Sequence, residues 1–123
     1  MDKKQSNILV VDDEEVIRNL LCDILTDAGY KVELASCGDE ALDKAKHGRF
    51  SIVITDLRMP GINGIEVIRK LKAINSGISV IVITAYPSIT SRAAAMHEGA
   101  YDYIVKPFNI EELGAVIDRA AQN

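Results

Sequence analysis

The sequence of 123 residues has no tryptophan, two cysteines and three prolines, and it lacks a long apolar run. Each shortage excludes something. Cys22 and Cys37 have neither metal-ligand spacing nor a Cys-x-x-Cys partner, so reduced thiols of a cytoplasmic protein are expected rather than a structural disulfide. No segment approaches the roughly 18 consecutive apolar residues of a membrane span. The stretch 1–7 is polar and the first apolar run stops at Asp12, which is not a secretory signal pattern. Positive charge is also short: 14 Lys and Arg stand against 18 Asp and Glu, giving a net charge of −4 and a pI near 5.1. That balance argues against a phosphate-backbone binder, so no direct nucleic-acid contact is expected of this domain. Low-complexity segments, internal repeats and linkers are missing too, and a single domain over residues 1–123 is the expectation.

What is present is a chain able to bury a core, with 48% apolar and 26% charged residues. Five short runs rich in Val, Ile and Tyr read as strands: Ile8 to Val11, Tyr30 to Ala35, Ile52 to Thr55, Val80 to Thr84 and Asp102 to Val105. In the second, Tyr30, Val32 and Leu34 alternate onto one face. Helical periods lie between them. The first apolar stripe takes in Ile17, Leu20, Leu21, Ile24 and Ala28, and Gly29 stops it. Ala41, Leu42 and Ala45 form a second, ending at Gly48, and Ile65, Ile68 and Leu71 a third. The fourth helix runs from Ile89 to Glu98, closed by Gly99. Leu113, Val116, Ile117 and Ala120 form the fifth stripe, begun by Asn109 and Glu112 in a capping-box-like pattern. Strict βα alternation implies an α/β fold, a parallel sheet wound doubly with helices on both faces in three layers.

The informative polar residues fall where strands end. Asp12 and Asp13 follow the first strand, Asp56 the third and Lys106 the fifth, while Thr84 closes the fourth. In a parallel sheet these positions share one edge, where open α/β folds bind their ligands. Three carboxylates within about 5 Å of one another repel by about 3 kcal/mol per pair at an effective dielectric of 20. Lys106 neutralises part of that, and a hard divalent cation, Mg²⁺, suits an all-oxygen donor set. The adjacent Asp12 and Asp13 suit the metal. Asp56 stands alone before the turn Leu57-Arg58-Met59-Pro60-Gly61 and is assigned as nucleophile in an aspartyl-phosphate chemistry, with Lys106 and the Thr84 hydroxyl stabilising the phosphoryl group.

These residues resemble the receiver domain of bacterial two-component response regulators. The resemblance rests on Ile8-Leu9-Val10-Val11-Asp12-Asp13, on Thr55-Asp56 with the turn that follows, on Ile83-Thr84-Ala85, and on Tyr103-Ile104-Val105-Lys106-Pro107-Phe108. It implies a flavodoxin-like (βα)5 fold, with strand order 2-1-3-4-5 taken from the family rather than read from the residues. It further implies that Asp56 accepts a phosphoryl group from the phosphohistidine of a sensor kinase or phosphotransfer protein. Mg²⁺ would be held by Asp12, Asp13, Asp56 and the main-chain carbonyl of Arg58. The family also implies a cis bond before Pro107, inward movement of Thr84 and Tyr103 as the switch pair, and a change in the surface of helix 4, strand 5 and helix 5 that controls an output domain, partner or homodimer. Such a domain promotes its own phosphorylation and dephosphorylation without being a metabolic enzyme. Arg58 and Tyr86 occupy positions that vary in the family and tune dephosphorylation.

Plainer readings compete residue by residue. Asp12 and Asp13 alone could cap a helix, Thr84 could simply end a strand, Lys106 could be a solvated charge and Tyr103 could be packing. His47 and His97 have no ligand spacing and read as surface residues, and Asn63-Gly64 reads as a turn. Among rival functions, an FMN binder needs a Gly- or Ser-rich phosphate loop where this chain has Asp12-Asp13-Glu14-Glu15. A Mg²⁺-dependent phosphatase of the haloacid dehalogenase type places Asp-x-Asp after its first strand. An interaction module independent of phosphorylation would have lost Asp56, Thr84 or Lys106. Whether the chain is a complete regulator or part of a longer one stays open.

Overall fold

Ile8, Leu9, Val10 and Val11 are inaccessible to solvent, as a strand covered on both faces and paired on both edges must be. They belong to β1 (Asn7–Val11). A computed structural model describes residues 7–58, 61 and 63–122 and places β1 between β2 (Lys31–Ala35) and β3 (Ile52–Thr55). β4 (Ser79–Thr84) and β5 (Asp102–Val105) follow, in the expected order β2-β1-β3-β4-β5. Every pairing is parallel, with Val11 level with Ala35 and Thr55, and Val82 level with Tyr103. The crossovers are α1 (Glu15–Asp27), α2 (Gly38–His47), α3 (Gly64–Ile74) and α4 (Ile89–His97), and α5 (Ile110–Gln122) closes the fold. No helix among the described residues is long and apolar enough to cross a membrane.

The period-two alternation of the strands sorts their side chains into two apolar layers. Val53, Val80 and Val82 pack with Ala41, Val67, Ile68, Leu71 and Ala95 on the side of α2, α3 and α4. Ile52, Ile54, Ile81 and Ile83 pack with Leu21, Leu25, Leu113 and Ile117 on the side of α1 and α5. In β3 and β4, valine faces the three-helix layer and isoleucine the two-helix layer.

The strand positions agree with the sequence reading to within a residue. The face of α1 is a correction: Leu21 and Leu25 are its buried residues, Ile17 and Ile24 are half-buried, and Leu20 and Ala28 are exposed. Leu20 lies about 100° round the helix from Leu21, which turns it out to solvent. Gly29 does end α1, in the left-handed region at φ 100° that a side chain disfavours. Asn109 begins α5 as expected, its Oδ1 accepting from the N–H groups of Glu111 and Glu112 at 2.7 and 3.2 Å. Asn63 and Ser88 cap α3 and α4 in the same way.

Candidate functional site

The strand ladder runs one residue past the ends of the strands, and this places the site. The Asp12 N–H donates to the Ala35 carbonyl, the Asp56 N–H to that of Val11 and the Lys106 N–H to that of Thr84. Asp12, Asp56 and Lys106 are therefore registered by main-chain pairing, independently of what their side chains contact. The carboxylates of Asp12, Asp13 and Asp56 offer oxygens that all lie within 4.8 Å of one another. Asp12 and Asp56 are buried and Asp13 is exposed.

Lys106 Nζ lies 2.9 Å from Asp12 Oδ2 and 2.8 Å from Asp56 Oδ2, with Glu14 Oε1 at 4.0 Å. Burial alone would lower the Lys106 pKa, but hydrogen bonds to Asp56 and Asp12 and their charges outweigh it and raise it. The group is an ammonium. The other oxygen of each buried carboxylate takes a main-chain N–H two residues on, Asp12 Oδ1 from Glu14 at 2.9 Å and Asp56 Oδ1 from Arg58 at 3.0 Å. Asp12 therefore does not cap α1, whose N-cap is Glu14; one of its oxygens closes a turn on the Glu14 N–H and the other meets Lys106. Arg18 Nη1 donates to the Asp12 carbonyl at 2.7 Å and ties α1 to the end of β1.

Three carboxylates against one ammonium leave the edge anionic. At these separations each carboxylate pair still repels by about 3 kcal/mol. The donors are all oxygens, and the exposed Asp13 leaves one side open to solvent, so the residues fit Mg²⁺ with part of its hydration retained. Thr84 is buried at the same edge, and its Oγ1 accepts the Tyr86 N–H at 3.1 Å. The Arg58 guanidinium stacks over the Tyr86 ring at 4.3 Å, joining the loops that follow β3 and β4. The bond from Lys106 to Pro107 is cis, as the resemblance implied.

Tyr103 is not grouped with the carboxylates. It is buried in the layer beneath α2, α3 and α4, and its hydroxyl meets Ser91 Oγ at 2.7 Å. Met59, Pro60 and the polar start 1–6 lie outside the described residues. His47 is exposed beside Asp43 on its own helix, and Cys22 and Cys37 are free thiols.

Two residues of the site escaped the sequence reading. Arg18 falls on a helix whose carbonyl partner is set only by the fold. Gly64, read within a turn, is there because a Cβ would stand 2.5 Å from the Leu57 Cα. The first residue of α3 thus lies against the loop that carries Asp56. Asn-Gly was the visible signal, but the close approach was not.

Comparison with known proteins agrees with this geometry. The family model for the response regulator receiver domain matches residues 8–118. An uncharacterized transcriptional regulatory protein of Bacillus subtilis, YkoG, is 43% identical over 118 residues, covering 96% of this chain and 51% of the relative. The chain spans between about a quarter and about half of the length of the curated relatives it matches. A CheY-like receiver domain protein from Methanospirillum hungatei superposes with a TM-score of 0.93 at 30% identity, covering 96% of this chain and 94% of that one. A Burkholderia pseudomallei response regulator, solved with a phosphorylated aspartic acid, a calcium ion and citrate, gives 0.88 at 33% identity, covering 96% and 69%. Receiver domains generally bind Mg²⁺ at an acidic pocket, and this chain has an aspartate cluster of Asp12, Asp13 and Asp56. The chain belongs to the response regulator receiver family, the phosphorylation-dependent switch domains of two-component signalling.

Proposed function

We propose that Asp56 is the phosphoacceptor of a cytoplasmic signalling switch, taking a phosphoryl group from the phosphohistidine of a sensor kinase or phosphotransfer protein. The observation that carries this reading is the Lys106 ammonium bridging buried Asp12 and Asp56, with Asp13 alongside. A phosphorylated aspartate in the Burkholderia relative supports it. In the transfer, an Asp56 oxygen attacks phosphorus as the P–N bond breaks, and the imidazole leaves with the bonding pair. Lys106, already on Asp56, is placed to pair with the phosphoryl oxygens. Because Thr84 Oγ1 accepts from Tyr86, its own proton is left to donate to a phosphoryl oxygen. Asp12, Asp13, Asp56 and the Arg58 carbonyl would hold Mg²⁺, which would supply neutralisation of the oxygens in flight.

The product adds nearly two negative charges and three acceptors at one point. Recruitment of Thr84 would then pull on the loop to α4, and the surface of α4, β5 and α5 would carry the change to an output domain, partner or second copy. A groove of about 420 Å³ beside Lys106, walled by Ile17, Leu20, Pro107, Phe108 and Ile110, would receive the apolar part of a protein donor. The same site would also support self-phosphorylation from small donors and self-dephosphorylation.

Intact mass after incubation with Mg²⁺ and acetyl phosphate tests the assignment. One phosphoryl group is expected, absent from Asp56→Asn and from a chelator control. Uptake that survives Asp56→Asn would mean another nucleophile. Turnover of a generic phosphate ester would favour a phosphatase, and no uptake by a folded, Mg²⁺-binding chain from either acetyl phosphate or a phosphohistidine donor would leave an interaction module.

A further inference from the structure

The Tyr103 hydroxyl sits in a closed circuit of hydrogen bonds. Ser88 N–H donates to it at 3.4 Å, it lies 2.7 Å from Ser91 Oγ, and Ser91 Oγ donates to the Ser88 carbonyl at 3.2 Å. Since the serine proton goes to that carbonyl, the phenol proton goes to the serine oxygen, and every link has one donor and one acceptor. The Arg92 guanidinium lies 5.8 Å from the ring centroid. All of these groups sit at the first turn of α4, and none belongs to the acidic cluster. The cap of that helix is a separate contact, Ser88 Oγ accepting from Ser91 N–H at 2.9 Å.

We propose that Ser91 is a positioning residue for the aromatic switch, its hydroxyl holding the Tyr103 ring inward from the first turn of α4. The ring then follows α4 rather than the carboxylates directly. A signal from the acidic edge reaches it by moving that turn. The importance of the tether for switching rests on the reading of Asp56 as phosphoacceptor, but its existence does not.

The test uses the full chain with carbon-labelled tyrosine rings, followed by NMR in the presence of a soluble paramagnetic probe. Tyr103→Phe identifies the Tyr103 signals among the four tyrosines. Loss of one hydrogen bond shifts the inward-to-outward ratio roughly two- to tenfold, so Ser91→Ala is expected to raise relaxation of the Tyr103 ring by the probe. Ser91→Thr keeps the hydroxyl and restores the wild-type value. Ser88→Ala removes the helix cap while leaving all three links of the circuit, and the ring stays protected. An unchanged ring in Ser91→Ala, no rescue by Ser91→Thr, or equal release by Ser88→Ala would each overturn the tether in favour of packing or simple fraying. Phosphoryl uptake measured by mass on the same samples keeps the two readings apart. Loss of uptake in wild type counts against Asp56 alone, and an immobile ring with normal uptake counts against Ser91 alone.

Discussion

The middle of the sheet and its carboxyl edge both bury side chains, and they are built on opposite terms. Ile81, Val82 and Ile83 are covered on both faces and bring no polar side-chain atom with them. A few ångströms on, Asp12, Asp56 and Thr84 are buried too, yet their charge and polarity must be met group by group. The main-chain ladder does not distinguish the two regions, since it continues through Asp12, Asp56 and Lys106. The difference is therefore one of side-chain chemistry laid on a common backbone. The interior stabilises the fold, and the edge uses the rigidity so obtained to hold like charges together at a net cost.

Substitutions that remove one region at a time measure that contrast. The largest loss is expected in the interior. Ile81→Ala opens a cavity in the layer facing α1 and α5 and should cost about 4 kcal/mol in urea unfolding. Phosphoryl uptake per folded molecule should be unchanged, because no part of the edge is touched. At the edge, Lys106→Met strands two buried carboxylates and should cost about 3 kcal/mol in chelator. Mg²⁺ should return part of the loss by binding the folded state alone. Equal stability of Lys106→Met and wild type in chelator would show that the ammonium is not what holds the edge, and the comparison would break there.

How much of this was legible in advance follows the same division. β1, β3 and β5 were readable because each carries an apolar run followed by a polar residue, as Ile52 to Thr55 is by Asp56, and β2 because its apolar residues alternate. The site was readable because parallel strands bring their ends to one edge, so residues 12, 13, 56, 84 and 106 needed only the topology to meet. Contacts between elements were not readable. Leu20 and Leu25 are both leucines on one helix, and only the position of the sheet decides which is buried. Gly64 looks like any glycine after asparagine until Leu57 is seen 2.5 Å from its missing Cβ. The Tyr103 circuit depends on α4 being docked with its first turn over β5, a relation that spacing along the chain does not encode.

The smallest expected effect lies between the two regions in kind: a polar contact built for the fold alone. Tyr30 precedes β2, is buried against the α1 and α5 layer, and donates its hydroxyl to the Asp118 carboxylate on α5. Burial, the hydrogen bond and the negative charge of Asp118 all raise its pKa. A phenol whose folded pKa is raised contributes stability that is complete below its unfolded value, about 10, and is lost as pH rises through the folded one. Stability should accordingly be flat with respect to this group at neutral pH and fall on the alkaline side. In an absorbance titration near 295 nm, one tyrosine should ionise only as the chain unfolds, and Tyr30→Phe should abolish that step at a cost of about 1 kcal/mol. If Tyr30 instead ionised in the folded chain, the hydroxyl would be reached by water, and Tyr30 could not stand as the buried polar contact that serves the fold alone.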